Sequence, residues 1–568
     1  MKNLLRVFFR YAILLVVGPV LAAPLPVRSA PAAITLIIDA AQDRHAISPY
    51  IYGMNYAIET LAAELRLPVR RWGGNSTTRY NWQNNTYNTG SDWYFENIVP
   101  DTNSSSDAFV QQDRRTGTRT LMTVPTLGWV AKNSSSSHPF SCGFKVSQYG
   151  PQQSVDPWDT DCGNGIRTNG TNITGNDPRD TSISISPTFV QNWVSHFVST
   201  LGAASAGGVQ FYDLDNEPML WNSTHRDVHP QPLGYDELLS RTVQYASAIK
   251  AADPSAQTLG PAEWGWTNYF FSALDAAPGG AWWSNPLDRN AHGATPLVPW
   301  YLQQLRAYEQ AHGVRLLDYL DLHYYPQASN VALSDAVDTA TQALRLRSTR
   351  SLWDATYADE SWINGTEGGP AVRLIPRMRE WVNANYPGTK VAISEYNWGA
   401  PGHINGALAQ ADVLGIFGRE NLDLATLWDP PKTNQALAYA FRMYRNYDGA
   451  GSAFGQTSVR ATSADQDQLA VYAAQDARSL ALTVMVINKT NSAQTAQVSI
   501  ANFPVRSPAL VYRYSNTNLT AIVRAANQTL SGGAFAANVP ATSITLYVIP
   551  NTAAPNYTPR AFVPLVLR

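Results

Sequence analysis

The chain has 568 residues, a formal net charge of −2, 44% hydrophobic residues and 15% charged ones. That length predicts one large and one small domain, and the near-neutral balance without a basic stripe excludes a nucleic-acid partner. Asn, Ser, Thr, Gly, Trp and Tyr fill the place of the missing charges, so the surface is expected to hydrogen-bond and stack rather than attract ions.

The first residues read as an export signal. Lys2 and Arg6 give a positive start, residues 11–21 are apolar, and Ala22 and Ala23 offer a cleavage site. The apolar run falls short of the roughly 20 residues a bilayer span needs, although a retained anchor is the competing reading. Taken as residues 1–23, the signal would leave a secreted, extracellular protein free of the membrane. Residues 33–38 resemble a strand with no helix after them. The segment 33–50 is therefore expected to join a later β domain. Eight short apolar runs follow, at 51–56, 68–74, 120–126, 209–216, 258–262, 317–325, 390–396 and 422–428. Helical patterns at 189–202, 235–252, 299–312, 371–386 and 407–419 lie between them. Eight strand–helix units predict an α/β fold, a (β/α)8 TIM-like barrel over residues 51–450. From about residue 454 the helical period stops. Runs at 468–474, 480–488, 497–500, 510–514 and 543–549 predict an additional antiparallel β-sandwich domain over 451–552. A tail of 553–568 follows.

The two cysteines, Cys142 and Cys162, sit in a Gly/Asp/Asn-rich stretch and predict a disulfide in an exported chain. Two free thiols are the alternative. In a barrel of this kind the chemistry sits where strands end. The fourth run ends in Asp213-Leu-Asp-Asn-Glu217-Pro218 and the seventh in Ser394-Glu395-Tyr396. Each puts a carboxylate at the same face of the barrel. Two facing carboxylates are what glycosidic bond cleavage requires: one to protonate the leaving oxygen, one to attack the anomeric carbon. A salt bridge at the barrel mouth is the plain alternative for each. Asp213 and Asp215 read as hydrogen-bonded scaffold, and Asn216 as a contact to a sugar hydroxyl.

The sequence resembles glycoside hydrolase family forty-four, the endoglucanase and xyloglucanase group. The matching stretches run from Ile47-Ser-Pro-Tyr-Ile-Tyr-Gly53 through Arg70-Arg-Trp-Gly-Gly-Asn75, Tyr80-Asn-Trp-Gln-Asn-Asn85, Gly90-Ser-Asp-Trp93, Leu214-Asp-Asn-Glu-Pro218, His323-Tyr-Tyr-Pro326, Leu352-Trp-Asp354 and Tyr386-Pro-Gly-Thr-Lys390 to Tyr444-Arg-Asn-Tyr-Asp-Gly449. The resemblance implies a barrel with a β-sandwich built from both chain ends. It also implies a retaining, endo-acting cleavage of β-1,4-glucan, with Glu217 as acid/base and Glu395 as nucleophile. Arg71 is then placed to hold Glu395 ionised, Tyr325 to donate to it, and His323 to be either a sugar contact or a packed histidine. Asn75, Trp82, Trp362 and Trp428 are expected as further cleft residues, with core packing as the other reading of each Trp.

Two rivals stand beside this reading. Exo-acting arabinofuranosidases carry similar Ile-Ser-Pro, Gly-Gly-Asn and Asn-Glu-Pro stretches, although the Trp-bearing insert after Gly74 favours an open cleft. A sugar-binding surface protein without catalysis would need the aromatics but not the two glutamates. No cofactor is required by this chemistry. Structural calcium is a candidate in the acidic loops 101–107 and 156–161. The expected partner is a β-glucan polysaccharide, and the expected state a monomer.

Overall fold

Each of the eight apolar runs marks a strand that is buried on both faces and reaches no more than one residue beyond the run at either end, the pattern of a parallel sheet covered by helices. They are β1 (Gly53–Asn55), β2 (Val69–Trp72), β3 (Arg119–Val124), β4 (Phe211–Leu214), β5 (Gln257–Glu263), β6 (Tyr319–Leu322), β7 (Lys390–Tyr396) and β8 (Leu424–Leu427). In this computed structural model they form one closed parallel barrel, with β8 returning to β1 through Thr426 opposite Gly53. The structure describes residues 33–100, 104–277, 279 and 282–553. The export signal at 1–23 and all but the first residue of the 553–568 tail lie outside the described residues. Among the described residues no helix is long and apolar enough to cross a membrane.

The barrel interior is sorted by polarity along its axis. One end is plugged by a layer of Val69, Leu121, Phe211, Leu259, Tyr319, Ala392 and Leu424, with Tyr50 packed against it. Such a filled layer makes the barrel a core rather than a pore. Nearer the strands' C-terminal ends the inward positions turn polar, with Asn55, Arg71, Asp213, Glu263, Asp321 and Ser394 all buried. The helices lie outside. Helix α1 (Pro187–Leu201) buries Val190, Trp193, Val194 and Phe197 at helical spacing and starts with a proline, which the first turn tolerates. Helix α2 (Ile404–Arg419) differs, because every residue from Ile404 to Gly418 is buried. One of its faces packs on the barrel and the other on the second domain.

That domain contains β9 (Thr457–Ser463), β10 (Leu469–Gln475), β11 (Leu482–Asn488), β12 (Gln494–Ala501), β13 (Ala509–Ser515), β14 (Asn518–Gln528), β15 (Ala534–Val539) and β16 (Ser543–Ile549). The N-terminal strand Ile34–Asp39 inserts between β9 and β12. The hydrogen-bonded order is β14-β13-β16-β11-β10-β9, the N-terminal strand, then β12-β15. All neighbours are antiparallel except the N-terminal strand and β12, which run parallel. Instead of two separate sheets, one sheet folds over on itself. Phe535 of β15 and Tyr547 of β16 stand far apart in strand order, yet their rings meet at 5.1 Å inside the fold. Three strands escaped the sequence reading: β9, β14 and β15. Their half-exposed alternation, such as buried Phe535, Ala537 and Val539 between exposed neighbours, carries too few apolar residues to form a run.

Candidate active site

Strand β4 ends in a sharp turn. Asp215 (φ 75°) and Glu217 (φ 47°) both adopt the left-handed conformation that side-chain-bearing residues disfavour. Hydrogen bonds hold the turn. The buried Asp215 carboxylate accepts from Thr78 Oγ1 at 2.6 Å, Thr126 N at 2.5 Å, Leu127 N at 3.0 Å and Asn216 N at 2.8 Å. Glu217 N donates to Ala262 O at 3.0 Å. The scaffold reading of Asp215 thus agrees with its contacts, and the turn lifts the Glu217 side chain toward β7.

There it faces Glu395. One oxygen of each carboxylate and one nitrogen of His323 all lie within 4.8 Å of one another. The surroundings of the two carboxylates differ. Glu395 Oε1 accepts from Arg71 Nη1 at 2.6 Å, and Oε2 accepts from the Tyr325 hydroxyl at 2.8 Å. Glu217 Oε1 lies 2.9 Å from His323 Nδ1. Burial pushes the Glu217 carboxyl up to about 7; Arg71 opposes this and the Asp92 charge adds to it. Burial also lowers the His323 pKa, which favours a neutral imidazole, and its Nε2 lies 3.1 Å from Ser394 Oγ. The result is one carboxylate beside a fixed cation and one carboxyl able to hold a proton near neutral pH.

A buried layer lies beneath. Arg71 is fully buried and reaches no solvent. Besides Glu395 it bonds Asp213 Oδ2 at 3.1 Å and Asn216 Oδ1 at 3.0 Å. Burial works against its charge, but Asp213 and Glu395 outweigh that and keep it ionised. Asn216 Oδ1 also accepts from Gly74 N at 3.1 Å, and its Nδ2 donates to Asn75 Oδ1 at 3.0 Å. Asn216 and Arg71 therefore brace the site from below. Asn75 in turn donates to Asp92 at 3.1 Å. Asn55 Nδ2 donates to Ser394 O at 3.0 Å and ties β1 to β7.

The aromatic residues divide. Trp362 is 45% exposed and donates to Gln327 Oε1 at 3.2 Å, and Gln327 donates to the Tyr325 carbonyl at 2.9 Å. Trp428 is half-buried after β8 and lies over Gly74. A Cβ at Gly74 would stand 2.5 Å from the indole, and Gly74 itself has φ 87°. Trp82 does not join the cleft: its ring stacks on His196 at 5.3 Å and packs against Phe189 of α1. A Trp in an insert carries the same letter whether it faces sugar or core, so its sequence could not separate the two.

Several residues near the site were not singled out from the sequence. Asp92 acts on Glu217 through its charge. Glu263 at the end of β5 is buried with neither oxygen hydrogen-bonded to a side chain, and burial beside Glu217 raises its pKa well above the usual range. Asp321 in β6 accepts from Ser394 N at 2.9 Å. For Glu263 and Asp321 a signal existed, namely an acidic residue in an otherwise apolar strand. Asp92 reaches the site through a long insert, and no local pattern marks it.

Two groups have the spacing of metal ligands among the described residues: Glu217, His323 and Glu395, and away from them Glu96, His138 and Asp156. In the first, Arg71 already compensates the charge of Glu395. Of the acidic loop 101–107, residues 101–103 lie outside the described residues, and Asp107 pairs with His196 at 2.7 Å. The expected disulfide is present, with Cα atoms of Cys142 and Cys162 5.7 Å apart.

A family model described as glycoside hydrolase family 44 matches residues 86–328. Endoglucanase A of Paenibacillus lautus is 32% identical over 509 residues, covering 85% of this chain and 68% of the relative. A bifunctional glucanase-xylanase from a metagenome library is 44% identical with a TM-score of 0.88, over 92% of this chain and 99% of that one. A family 44 xyloglucanase of Paenibacillus polymyxa is 31% identical with a TM-score of 0.75, over 91% and 99%. An arabinofuranosidase from Xanthomonas axonopodis shares the fold at 12% identity and a TM-score of 0.56. The chain is thus a glycoside hydrolase and belongs to glycoside hydrolase family 44.

Proposed function

We propose that the protein is an exported, endo-acting hydrolase of β-1,4-linked glucans, of the cellulose or xyloglucan type, that retains anomeric configuration. The observation that carries this reading is the asymmetric pair. One oxygen of Glu217 and one of Glu395 lie within 4.8 Å of each other; Glu395 is bonded to Arg71 and Tyr325, and burial raises the Glu217 carboxyl to about 7. A retaining mechanism calls for carboxylates roughly 5–5.5 Å apart, whereas inversion calls for about 6.5–9.5 Å. Glu395 attacks the anomeric carbon while Glu217 gives its proton to the departing oxygen. Glu217 then takes a proton from water, which attacks the same carbon and releases Glu395. Neutral His323 holds the Glu217 oxygen in place. The relatives named as glucanase, xylanase and xyloglucanase support a polymeric glucan substrate over an arabinofuranoside. Export is supported by the N-terminal signal pattern and by the disulfide.

Substitution of each glutamate tests the roles. On an aryl glycoside, which needs little protonation, Glu217→Ala completes the first step and stalls. Azide restores its turnover and gives a β-configured product. Glu395→Ala loses activity on aryl and polymeric substrates alike, and any azide rescue gives an α product. Reversed products would reverse the assignment, and full activity in either variant would make that residue structural. Release of short oligosaccharides from soluble glucan, with a fast drop in viscosity, distinguishes endo cleavage from release of single sugars.

A further inference from the structure

We propose that Glu96, His138 and Asp156 bind a divalent metal cation, and that this cation fastens an aromatic platform made by Trp93 and Trp158 at one end of the cleft.

The first ground is an uncompensated pair of buried carboxylates. Glu96 is fully buried, and neither of its oxygens has a hydrogen-bond partner among the described residues. Asp156 is fully buried as well; its Oδ1 accepts from Trp158 N at 3.2 Å, and its Oδ2 has no hydrogen-bond partner. Leaving such groups unmet is strongly unfavourable. The second ground is the third member. His138 Nε2 stands 3.3 Å from Asp156 Oδ2, and the three ligand atoms lie within 4.8 Å of one another. That span equals two metal–oxygen bonds of about 2.4 Å, so one ion can reach all three with small side-chain movements. Two carboxylates with one imidazole suit zinc, with a water as fourth ligand; calcium would take the two carboxylates together with carbonyls or water.

The surrounding structure shows what the ion would do. Glu96 pairs across a bridge with Cys142, and Asp156 N donates to Cys162 O at 2.9 Å, so the disulfide closes around the same spot. Trp93 lies three residues before Glu96, and Trp158 two after Asp156. Their rings meet at 5.6 Å, yet they are 38% and 69% exposed. Beside Trp93, Asp92 is joined through Asn75 and Asn216 to the Glu217 turn. An exposed pair of indoles adjoining Asp92 is suited to stacking on a sugar ring. The platform's role rests on the polysaccharide reading above, whereas cation binding does not and is measured without substrate.

The test uses the whole protein, analysed for bound metal as purified and then stripped with chelator. Thermal unfolding is followed with no metal, calcium, zinc or magnesium. The expected result is one equivalent of metal, and a rise of roughly 3 °C when calcium or zinc reaches a hundredfold excess over Kd. Glu96→Gln and Asp156→Asn abolish that rise. His138→Ala, in an exposed loop, keeps the fold; it removes a zinc response while only weakening a calcium one, and so tells the two ions apart. In the stripped protein and in Asp156→Asn, KM for polymer rises several-fold while kcat on a short aryl oligosaccharide holds. Absence of metal in the purified protein together with no thermal response to any cation would overturn the proposal. So would an undiminished response in Glu96→Gln or Asp156→Asn. In that event Glu96 and Asp156 share a proton instead, and Glu96→Gln leaves stability unchanged.

Discussion

The Glu217 carboxyl is the residue whose protonation sets the pH range of the proposed reaction. It must carry a proton to donate, and burial raises its pKa to about 7. Donation is therefore complete below that pH and lost above it, so kcat/KM should show an alkaline limb near 7. Asp92 raises the Glu217 pKa through like charge. Asp92→Asn removes that repulsion and should move the limb to lower pH, by roughly half a unit to one unit. A pH–rate profile of both proteins checks this; an unmoved limb would show that Asp92 does not act on the acid. At this scale the sequence was informative where a functional group closes an apolar strand, although Glu263, which closes β5, and Asp321, which interrupts β6, were not singled out. Glu217, Glu395 and Arg71 all stand at strand ends, and their mutual approach followed from the barrel alone. Asp92 and Trp82 come from the long insert after β2, where side-chain direction depends on tertiary packing that no periodicity records.

Elements were legible to the extent that their burial is two-sided or periodic. Six barrel strands lay within the apolar runs, and the other two, β3 and β5, overran theirs by no more than one residue at either end, because each is covered on both faces. Strands β14 and β15 were missed because they hold about half of their residues in solvent, and β9 because only Ser458 and Val459 of its residues are buried. The turn after β2 shows what element boundaries can conceal. Gly73-Gly74 reads as an ordinary loop, but Gly74 combines φ 87° with the Trp428 indole lying against it. Gly74→Ala has to meet both constraints at once. It should destabilise the protein by about 1–2 kcal/mol in urea unfolding and, by displacing Trp428, raise KM for polymer more than it lowers kcat. Unchanged stability and KM would show that the indole gives way without consequence.

Over the whole molecule, helix α2 is the seam between barrel and sheet. Its Asp412 accepts from Lys489 Nζ at 2.7 Å, from the Tyr472 hydroxyl at 2.7 Å and from Thr349 Oγ1 at 2.7 Å, all buried. Gly415 of the same helix admits the Tyr472 ring, which would stand 2.3 Å from a Cβ there. Breaking the ion pair from one side strands a charge. Lys489→Met should therefore cost about 3–5 kcal/mol. Adding Asp412→Asn should recover part of it, because the amide oxygen still accepts from one hydroxyl, the amide nitrogen can donate to the other, and no charge remains. Urea unfolding of the single and double variants checks the sign, and equal losses in both would remove the seam from the account. The sequence marked α2 as a helix but not as a seam, since burial on both sides blurs the amphipathic period. The N-terminal strand belongs to the same scale. Leu36 pairs with both Ser463 and Val498, so this strand meets its partners only after the whole barrel has been made. At about 5–20 residues per second, synthesis keeps it waiting for tens of seconds. Over that interval its backbone donors and acceptors have no sheet to join. The nascent chain thus carries an open strand edge, and the stretch holding β9 and β12, translated after the whole barrel, is what closes it.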